Sequence, residues 1–208
     1  MKNLQELFVD QLKDVYSAEK QLLKSLPRMA KAATAAKLRK AFEDHLASTR
    51  EQVERLDAVF EQVGGRPGRK TCAAMEGLVR EGQELIEQSP PAEVLDAGLI
   101  AAAQRVEHYE IAAYGTLRSY AQTLGHKGAV KLLEKTLKEE EATDKLLSEL
   151  AEGGVNRDAV EPADAGRGEG EKSLVGKAVR AVAEATGLAA EEPEKPKARK
   201  GTGRKKGS

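Results

Sequence analysis

The sequence predicts an all-α protein organised as a bundle of four long helices, with a shorter extra helix between the second and the third. Of its 208 residues, 33% are charged and 3% are aromatic, a composition that favours helices over sheets. Apolar residues recur every three or four positions over four long stretches, which is the spacing of one helix face. Gly- and Pro-containing segments separate these stretches.

The first two long helices are expected at about residues 3–33 and 37–63. Asn3 can cap the first helix, because its side chain can accept a hydrogen bond from an unpaired backbone N–H of the first turn. Pro27 is expected to interrupt or kink this helix near its end. Gly64 is expected to end the second helix, since glycine readily adopts the conformation that terminates helices.

The second half of the chain repeats this pattern after a loop. Thr71 can cap a short helix that runs to about residue 87, where Ser89-Pro90-Pro91 closes it. The third long helix is expected at residues 92–124. After a turn at Gly125, the fourth is expected to continue to about Glu152. Two antiparallel pairs joined by a long connection that holds an extra helix describe a ferritin-like four-helix bundle with one crossover.

The composition changes near Gly154, and the domain boundary is placed there. Residues 1–154 are interpreted as the bundle, and 155–208 as a linker, a segment at 173–188 that can form a short amphipathic helix, and a disordered tail. From Pro193 onward, seven Lys or Arg residues oppose Glu194. The tail therefore carries +6, and because the formal net charge is zero, the rest of the chain carries −6.

Acidic residues interrupt the apolar series of three of the long helices. Glu19 falls in the first series, Glu110 in the third, and Glu140 and Asp144 in the fourth. Burial of an unpaired carboxylate costs several kcal/mol. No Lys or Arg occupies the same positions, so bound metal cations are the predicted partners of these acids.

Counting from the turns predicts that these polar positions share one layer. Glu19 and Gln52 each lie 16 residues from the first turn, and Glu110 and Glu140 each lie 15 residues from Gly125. Residues equidistant from an antiparallel turn lie at the same depth, here about 22 Å from the turn at a rise of 1.5 Å per residue. The predicted metal-binding set consists of Glu19, His45, Gln52, Glu107, Glu110, Glu140 and Asp144.

Such a carboxylate-rich set suits Fe, Mn or a mixed pair, because hard oxygen ligands can bridge two cations and an imidazole adds borderline character. The sequence does not select between these metals. The alternative interpretation is a set of buried hydrogen-bonded or ionic pairs, with Lys20 or Arg105 as partners. His45 is equally consistent with a core histidine bonded to the backbone and with a metal ligand.

Five segments of the chain match a known family: DVYSAEKQL at 14–22, AFEDHL at 41–46, CAAMEGL at 72–78, LIAAAQRVEHYEIAAYGTL at 99–117 and LKEEEATDKLL at 137–147. Through these segments, over about residues 3–153, the chain resembles the YciE/YciF family of ferritin-like stress proteins. The resemblance implies a homodimer of ferritin-like bundles with a di-metal centre, and a link to bacterial stress responses. The chain lacks the Glu-x-x-His motif of di-iron bundles; the corresponding turns are Thr49-x-x-Gln52 and Glu140-x-x-Thr143.

We therefore expect a stress-associated protein with a di-metal centre of iron or manganese that oxidises Fe(II) or reduces peroxide. The alternative is a non-enzymatic stress scaffold, or a protein that associates non-specifically with nucleic acid through its basic tail. Cys72 is the single cysteine, which is compatible with a reducing compartment, and no segment has the features of a signal peptide or a membrane span. We accordingly expect a cytoplasmic location and no membrane partner.

Overall fold

The computed structural model of the protein describes residues 1–160, and this part of the chain is built from helices with no strand. The all-α prediction is confirmed, and the long helices begin and end within a few residues of the predicted bounds. The helices are α1 (Leu4–Ala32), α2 (Ala36–Val63), α3 (Ala73–Glu87), α4 (Ala92–Thr123) and α5 (Lys127–Leu150). A π-helical turn (Ala151–Val155) and a short helical turn (Asn156–Asp158) follow α5.

The helix ends show which local signals were predictive. Asn3 caps α1, since its Oδ1 accepts a hydrogen bond of 2.9 Å from the backbone N–H of Glu6. Gly64 ends α2 with a φ of 75°, a conformation that strains other residues. Pro27 lies inside α1 without ending it. Cys72, rather than Thr71, caps α3, and its Sγ accepts a 3.4 Å hydrogen bond from the backbone N–H of Met75.

Helical structure continues past Gly154, the predicted domain boundary, as far as Asp158. The boundary itself stays a prediction. The predicted tail, including the 173–188 segment, lies outside the described residues. Within the described part, no helix is long and apolar enough to cross a membrane.

The helices pack as two hairpins. The short connections join α1 to α2 and α4 to α5, while α2 packs on α5 and α1 on α4. The short helix α3 covers α1 and α4. This arrangement divides the apolar core into two clusters, and the polar layer described below lies between them. One cluster includes Leu22, Leu26, Phe42, Met75 and Leu99; the other includes Phe8, Leu12, Leu56, Phe60 and Leu133.

The turn between α1 and α2 is held by a carboxylate from a distant helix. Asp96 on α4 is 3% exposed, and it accepts hydrogen bonds from the backbone N–H groups of Thr34 (2.8 Å) and Ala35 (2.7 Å). Its second oxygen also accepts a 2.6 Å hydrogen bond from the Thr34 hydroxyl. The first hairpin is therefore anchored directly to the second.

Candidate metal centre

A layer of buried polar side chains lies in the middle of the bundle. Glu19, Glu107, Glu110 and Glu140 are each 0% exposed, and His45 is 4% exposed. One ligand atom from each of His45, Glu107, Glu110 and Glu140 lies within 4.8 Å of the others. Glu19 joins this group electrostatically, since its charge acts on those of His45, Glu110 and Glu140.

All four long helices contribute to the layer. Glu19 comes from α1, Glu140 from α5, and the pair Glu107 and Glu110 from one turn of α4. His45 and Gln52 are seven residues apart on α2, which places them on the same face two turns apart. The matched distances of these residues from the turns thus bring both hairpins to one level, as the sequence predicted.

The contacts within the layer leave much of its hydrogen-bonding capacity unused. His45 Nδ1 lies 3.1 Å from Glu107 Oε1, and His45 Nε2 lies 3.6 Å from Glu140 Oε2. Gln52 Nε2 donates to Glu140 Oε1 at 2.5 Å, and the Tyr114 hydroxyl donates to Glu19 Oε1. Within residues 1–160, however, these buried atoms form no well-aligned hydrogen bond, although Glu107 Oε1 has His45 Nδ1 beside it: both oxygens of Glu107 and Glu110, Oε2 of Glu19 and Glu140, Gln52 Oε1, and His45 Nε2.

Burial and mutual repulsion raise the pKa values of acidic groups in this layer and so favour their protonated forms. Burial raises the pKa of Glu19 to about 7, although the hydrogen bond from Tyr114 acts to lower it. Burial, followed by repulsion from Glu19, raises the pKa values of Glu110 and Glu140 well above the usual range for a carboxylic acid. The pKa of the Tyr114 hydroxyl is raised for the same two reasons.

His45 responds to the same surroundings in the opposite sense. Burial acts to lower its pKa, but the negative charges of Glu107 and Glu19 outweigh that effect, and the pKa is raised. Protonated His45 can therefore compensate part of the charge of the layer. One imidazolium cannot balance four glutamates, so most of the remaining charge must be removed by protons or by other cations.

The donor set fits transition-metal ions. Buried polar atoms in native proteins are almost always paired, so a group of buried carboxylate oxygens without protein donors is the arrangement expected at a cation-binding site. Four carboxylates with one imidazole provide the oxygen-rich, mixed ligation that Fe and Mn accept in helical bundles. Glu19, His45, Glu107, Glu110 and Glu140 are the residues that would hold such ions, and the unpaired Oε1 of Gln52 is available as a further ligand.

Asp144 is placed differently from the other predicted ligands. Its Oδ1 accepts a hydrogen bond of 3.3 Å from Gln104 Nε2 and lies 3.4 Å from His108 Nε2, and 24% of its side chain is exposed. Asp144 follows Glu140 by four residues, which rotates it by about 40° around α5. Its side chain is also one methylene shorter. It therefore contacts the outer edge of α4 rather than the buried layer.

A charged network covers the layer on the side where α2 meets α5. Gln52 Nε2 also donates to Glu139 Oε2 at 3.3 Å. The guanidinium of Arg55 donates to both oxygens of Glu139, at 2.7 and 2.9 Å, and to the Thr136 hydroxyl at 2.7 Å. Arg55 is thus a cation near the layer that the sequence pattern did not indicate, but it pairs with Glu139 and not with the buried glutamates.

Two members of the layer have contacts that the sequence pattern did not indicate. Glu107, one of the predicted ligands, is fully buried and faces His45. The available signal was the Glu107-x-x-Glu110 spacing, which places both side chains on one face. Tyr114, one turn after Glu110, bonds Glu19 directly.

Comparison with known proteins identifies the family of the chain. The family described as Domain of unknown function (DUF892) matches residues 3–160. The chain belongs to this DUF892 family. The family resemblance predicted from the sequence is also confirmed by Protein YciF of Escherichia coli strain K12, which is 50% identical over 160 residues, covering 76% of this chain and 96% of YciF.

Solved structures extend the comparison from the family to the fold. The crystal structure of the E. coli stress protein YciF matches with a TM-score of 0.73, covering 75% of this chain and 99% of that one. A ferritin-like, diiron-carboxylate protein from Bacillus anthracis matches with a TM-score of 0.57 at 15% identity, covering 72% and 99%. The latter likeness shows the fold alone, and the predicted ferritin-like bundle of this DUF892 protein is confirmed.

Proposed function

We propose that this protein is a stress-associated, ferritin-like metalloprotein with a di-metal centre of iron or manganese. The single observation that carries the proposal is the meeting of buried glutamate and histidine ligand atoms within 4.8 Å, with carboxylate oxygens that lack donors. The proposed ligands are Glu19, His45, Glu107, Glu110 and Glu140, with Gln52 as a further candidate. Asp144 is proposed to act from outside the layer, through its contact with His108.

Two ions fit the charge of the layer better than one. Four ionised glutamates carry four negative charges, which two divalent cations neutralise without help from Lys or Arg. The free-energy cost of burying the ionised glutamates is then offset by coordination to the metal ions, and protonation is not needed.

The source of the nitrogen ligand differs from that in Glu-x-x-His bundles. Because α2 and α5 lack this motif, the proposed nitrogen ligand is His45, which precedes Gln52 by two turns on α2.

When bound, a centre of this kind supplies oxidation of Fe(II) by oxygen or peroxide, which is the reaction we propose for the protein. The protein's own residues have three roles. Tyr114 keeps a proton beside Glu19, Gln52 holds Glu140 in position, and the two flanking apolar clusters exclude water. Exclusion of water strengthens every electrostatic interaction in the layer.

Metal analysis after mild purification tests the centre. We expect about two Fe or Mn ions per chain in the parent, by analogy with carboxylate bundles. The double variant Glu19→Ala/Glu140→Ala should contain little metal. Glu54→Ala/Glu141→Ala is the matched control, because it also removes one glutamate each from two bundle helices, but both are exposed. A parent that remains empty when supplied with Fe(II) or Mn(II) would rule out the centre.

We further propose a homodimer, which the family resemblance supports. The single cysteine supports proposing a cytoplasmic location, and the change in composition near Gly154 supports proposing that the bundle domain ends there. The +6 charge of the tail favours a second candidate function, non-specific association with nucleic acid. The two functions are compatible, since the candidate ligands lie in the bundle and the basic residues lie beyond it.

A further inference from the structure

A cavity of about 430 Å³ lies between α1, α3 and α4, separate from the polar layer. Its walls are mostly apolar and include Leu22, Met29, Leu78, Val79, Ile86 and Val106. Gly82 and Ala102 form a narrow part of its floor: a Cβ added to Gly82 would lie 3.7 Å from the Cβ of Ala102. A volume of this size, between helices of a bundle, is typical of a small-molecule site.

The inner end of the cavity adjoins the candidate metal centre. Leu22 follows Glu19 by three residues on α1, and Val106 precedes Glu110 by four residues on α4. Side chains at these spacings are neighbours on one helix face. From Leu22 the cavity extends along α1 to Ala32, a distance of about 15 Å at 1.5 Å per residue. The cavity is therefore an elongated apolar space that leads towards the buried glutamates.

The outer end of the cavity carries a net positive charge. Two cations, Arg28 and Lys31, and one acid, Glu87, line it. Arg28 and Lys31 are three residues apart on α1, so their side chains are neighbours. Within the described part of the chain, neither side chain forms an ion pair. Arg28 Nη1 donates to Gln83 Oε1 at 3.3 Å, and Gln83 Nε2 donates to Glu87 Oε1 at 2.9 Å. Glu87 is thus bonded to Gln83 and forms no ion pair with Arg28 or Lys31 among residues 1–160, so both cations can receive an anionic group.

We propose that the cavity binds a free fatty acid, with its carboxylate on Arg28 and Lys31 and its hydrocarbon chain directed towards Glu19 and Glu110. An elongated apolar space with two cations at one end matches an unbranched chain with one terminal carboxylate. Arg in particular suits a carboxylate, because the guanidinium can donate two parallel hydrogen bonds to it. Placement of the chain beside a metal centre rests on the proposed function, whereas binding of the fatty acid does not.

Titration of the full-length protein with saturated fatty acids of increasing length, in metal-free buffer and below their micelle concentrations, tests the site. We expect each added methylene to tighten binding about fourfold until the cavity is filled. Gly82→Leu should abolish binding, because its side chain occupies the cavity, and leucine also suits a helix better than glycine. Gly77→Leu is the matched control on α3: its new Cβ meets nothing within 4 Å, and Gly77 does not line the cavity.

A second pair of variants tests the cationic end. Arg28→Gln/Lys31→Gln should weaken binding about tenfold, through loss of charge-assisted hydrogen bonds. Lys20→Gln/Lys24→Gln removes the same charge from exposed positions of α1 and should bind like the parent. Fatty alcohols of the same length should bind the parent as weakly as fatty acids bind the Arg28/Lys31 variant.

The outcomes separate this inference from the proposed metal centre. Length-dependent binding that Gly82→Leu abolishes supports the cavity site even if metal analysis finds the protein empty. Binding that ignores chain length, binding to lipid vesicles instead of the monomeric acid, or equal effects of Gly82→Leu and Gly77→Leu would overturn it. Conversion of an oligomer to a monomer by Gly82→Leu, without fatty-acid binding by the parent, would assign the cavity to a subunit interface and likewise overturn it.

Discussion

Glu19 illustrates how one residue links stability to the proposed chemistry. It is fully buried, one of its oxygens is bonded to Tyr114, and the other has no donor among the described residues. Its pKa rises from an ordinary value of 4.5 to about 7 on folding, chiefly because of burial. The free energy of unfolding of the metal-free protein must therefore depend on pH through this group.

The metal-free protein is predicted to lose stability as pH rises from about 4.5 to about 7. Below this window Glu19 is protonated in both states and costs nothing; above it, the folded state bears a cost of about 3 kcal/mol from Glu19 alone. Glu110 and Glu140 act in the same direction. Urea unfolding at pH 5.5 and pH 8 measures the effect, and Glu19→Gln should reduce it.

Added Fe(II) or Mn(II) should reverse this pH trend, because coordination requires deprotonated ligands and becomes stronger as pH rises. At a free metal concentration of one hundred times Kd, each site adds about 2.7 kcal/mol to the free energy of unfolding. A metal-free profile that stays flat or rises between pH 5.5 and pH 8 would contradict the assignment of Glu19 as a buried acid with a raised pKa.

The same residues show what a sequence can predict of a site. Glu19, Glu110 and Glu140 were identifiable because each interrupts an apolar series, and their common depth followed from counting. The contact between His45 and Glu107 could not be obtained by counting, because it depends on the rotation of α2 against α4. Asp144 has the correct helical spacing, but a rotation of about 40° and a short side chain leave it outside the layer. Such differences of a few ångströms depend on tertiary packing.

Among the secondary-structure elements, the turn between α1 and α2 is the clearest case of local structure that is stabilised by a residue of a distant helix. The residue before α2 is Ala35, whose side chain cannot cap a helix. Asp96 supplies the missing acceptor from α4 instead, through three hydrogen bonds. Sequence patterns near residue 35 contain no signal of this contact, because the residues that form it are about sixty positions apart.

Asp96→Ala is predicted to lower the free energy of unfolding by about 3 kcal/mol, since it removes the three charge-assisted hydrogen bonds that the buried Asp96 carboxylate accepts from Thr34 and Ala35. Metal stoichiometry should be unchanged, because Asp96 lies at the turn and not in the polar layer. Asp44→Ala is the control: its carboxylate is exposed and pairs with Lys40, so the cost should be below about 1 kcal/mol. Denaturant unfolding of both variants measures the difference, and equal costs would contradict the anchoring role of Asp96.

Helix ends were predicted where the signal is local and mispredicted where it is not. Asn3 and Gly64 act through their own side-chain and backbone chemistry, and both ended helices as expected. Thr71 was expected to cap α3, but Cys72 takes that position. Its backbone N–H is bonded to Ser17 and its carbonyl to Gln21, so contacts with α1 fix where α3 begins.

For the whole molecule, the unequal distribution of charge yields a prediction about nucleic acid. Deletion of residues 193–208 removes a segment of +6 from a chain whose formal net charge is zero. At low salt, the full chain should bind duplex DNA without sequence preference, and the truncated chain should not. Gel-shift or fluorescence titrations at increasing salt measure this, with a full-length control in which the seven basic residues of the segment are replaced by Gln. Equal binding by the parent and the truncated chain would refute the role of the tail.

The overall architecture followed from the sequence because helix period, turn residues and helix lengths agree with one another. Four long helices with one crossover leave few ways to bury their apolar faces. The cavity beside α3 could not be anticipated in the same way. It depends on how closely α3 approaches α1. The small residues Gly82 and Ala102 can be recognised as part of the cavity lining only once the packing of the helices is known.

Neither hairpin possesses the complete set of candidate ligands. The first supplies Glu19 and His45, and the second supplies Glu107, Glu110 and Glu140. A proteolytic fragment that contains one hairpin would have only part of the ligand set. Separation of the two hairpins would therefore release any bound metal ion. Metal occupancy of the centre would therefore depend on the packing of both hairpins against each other, and measuring it would show whether the whole bundle is intact.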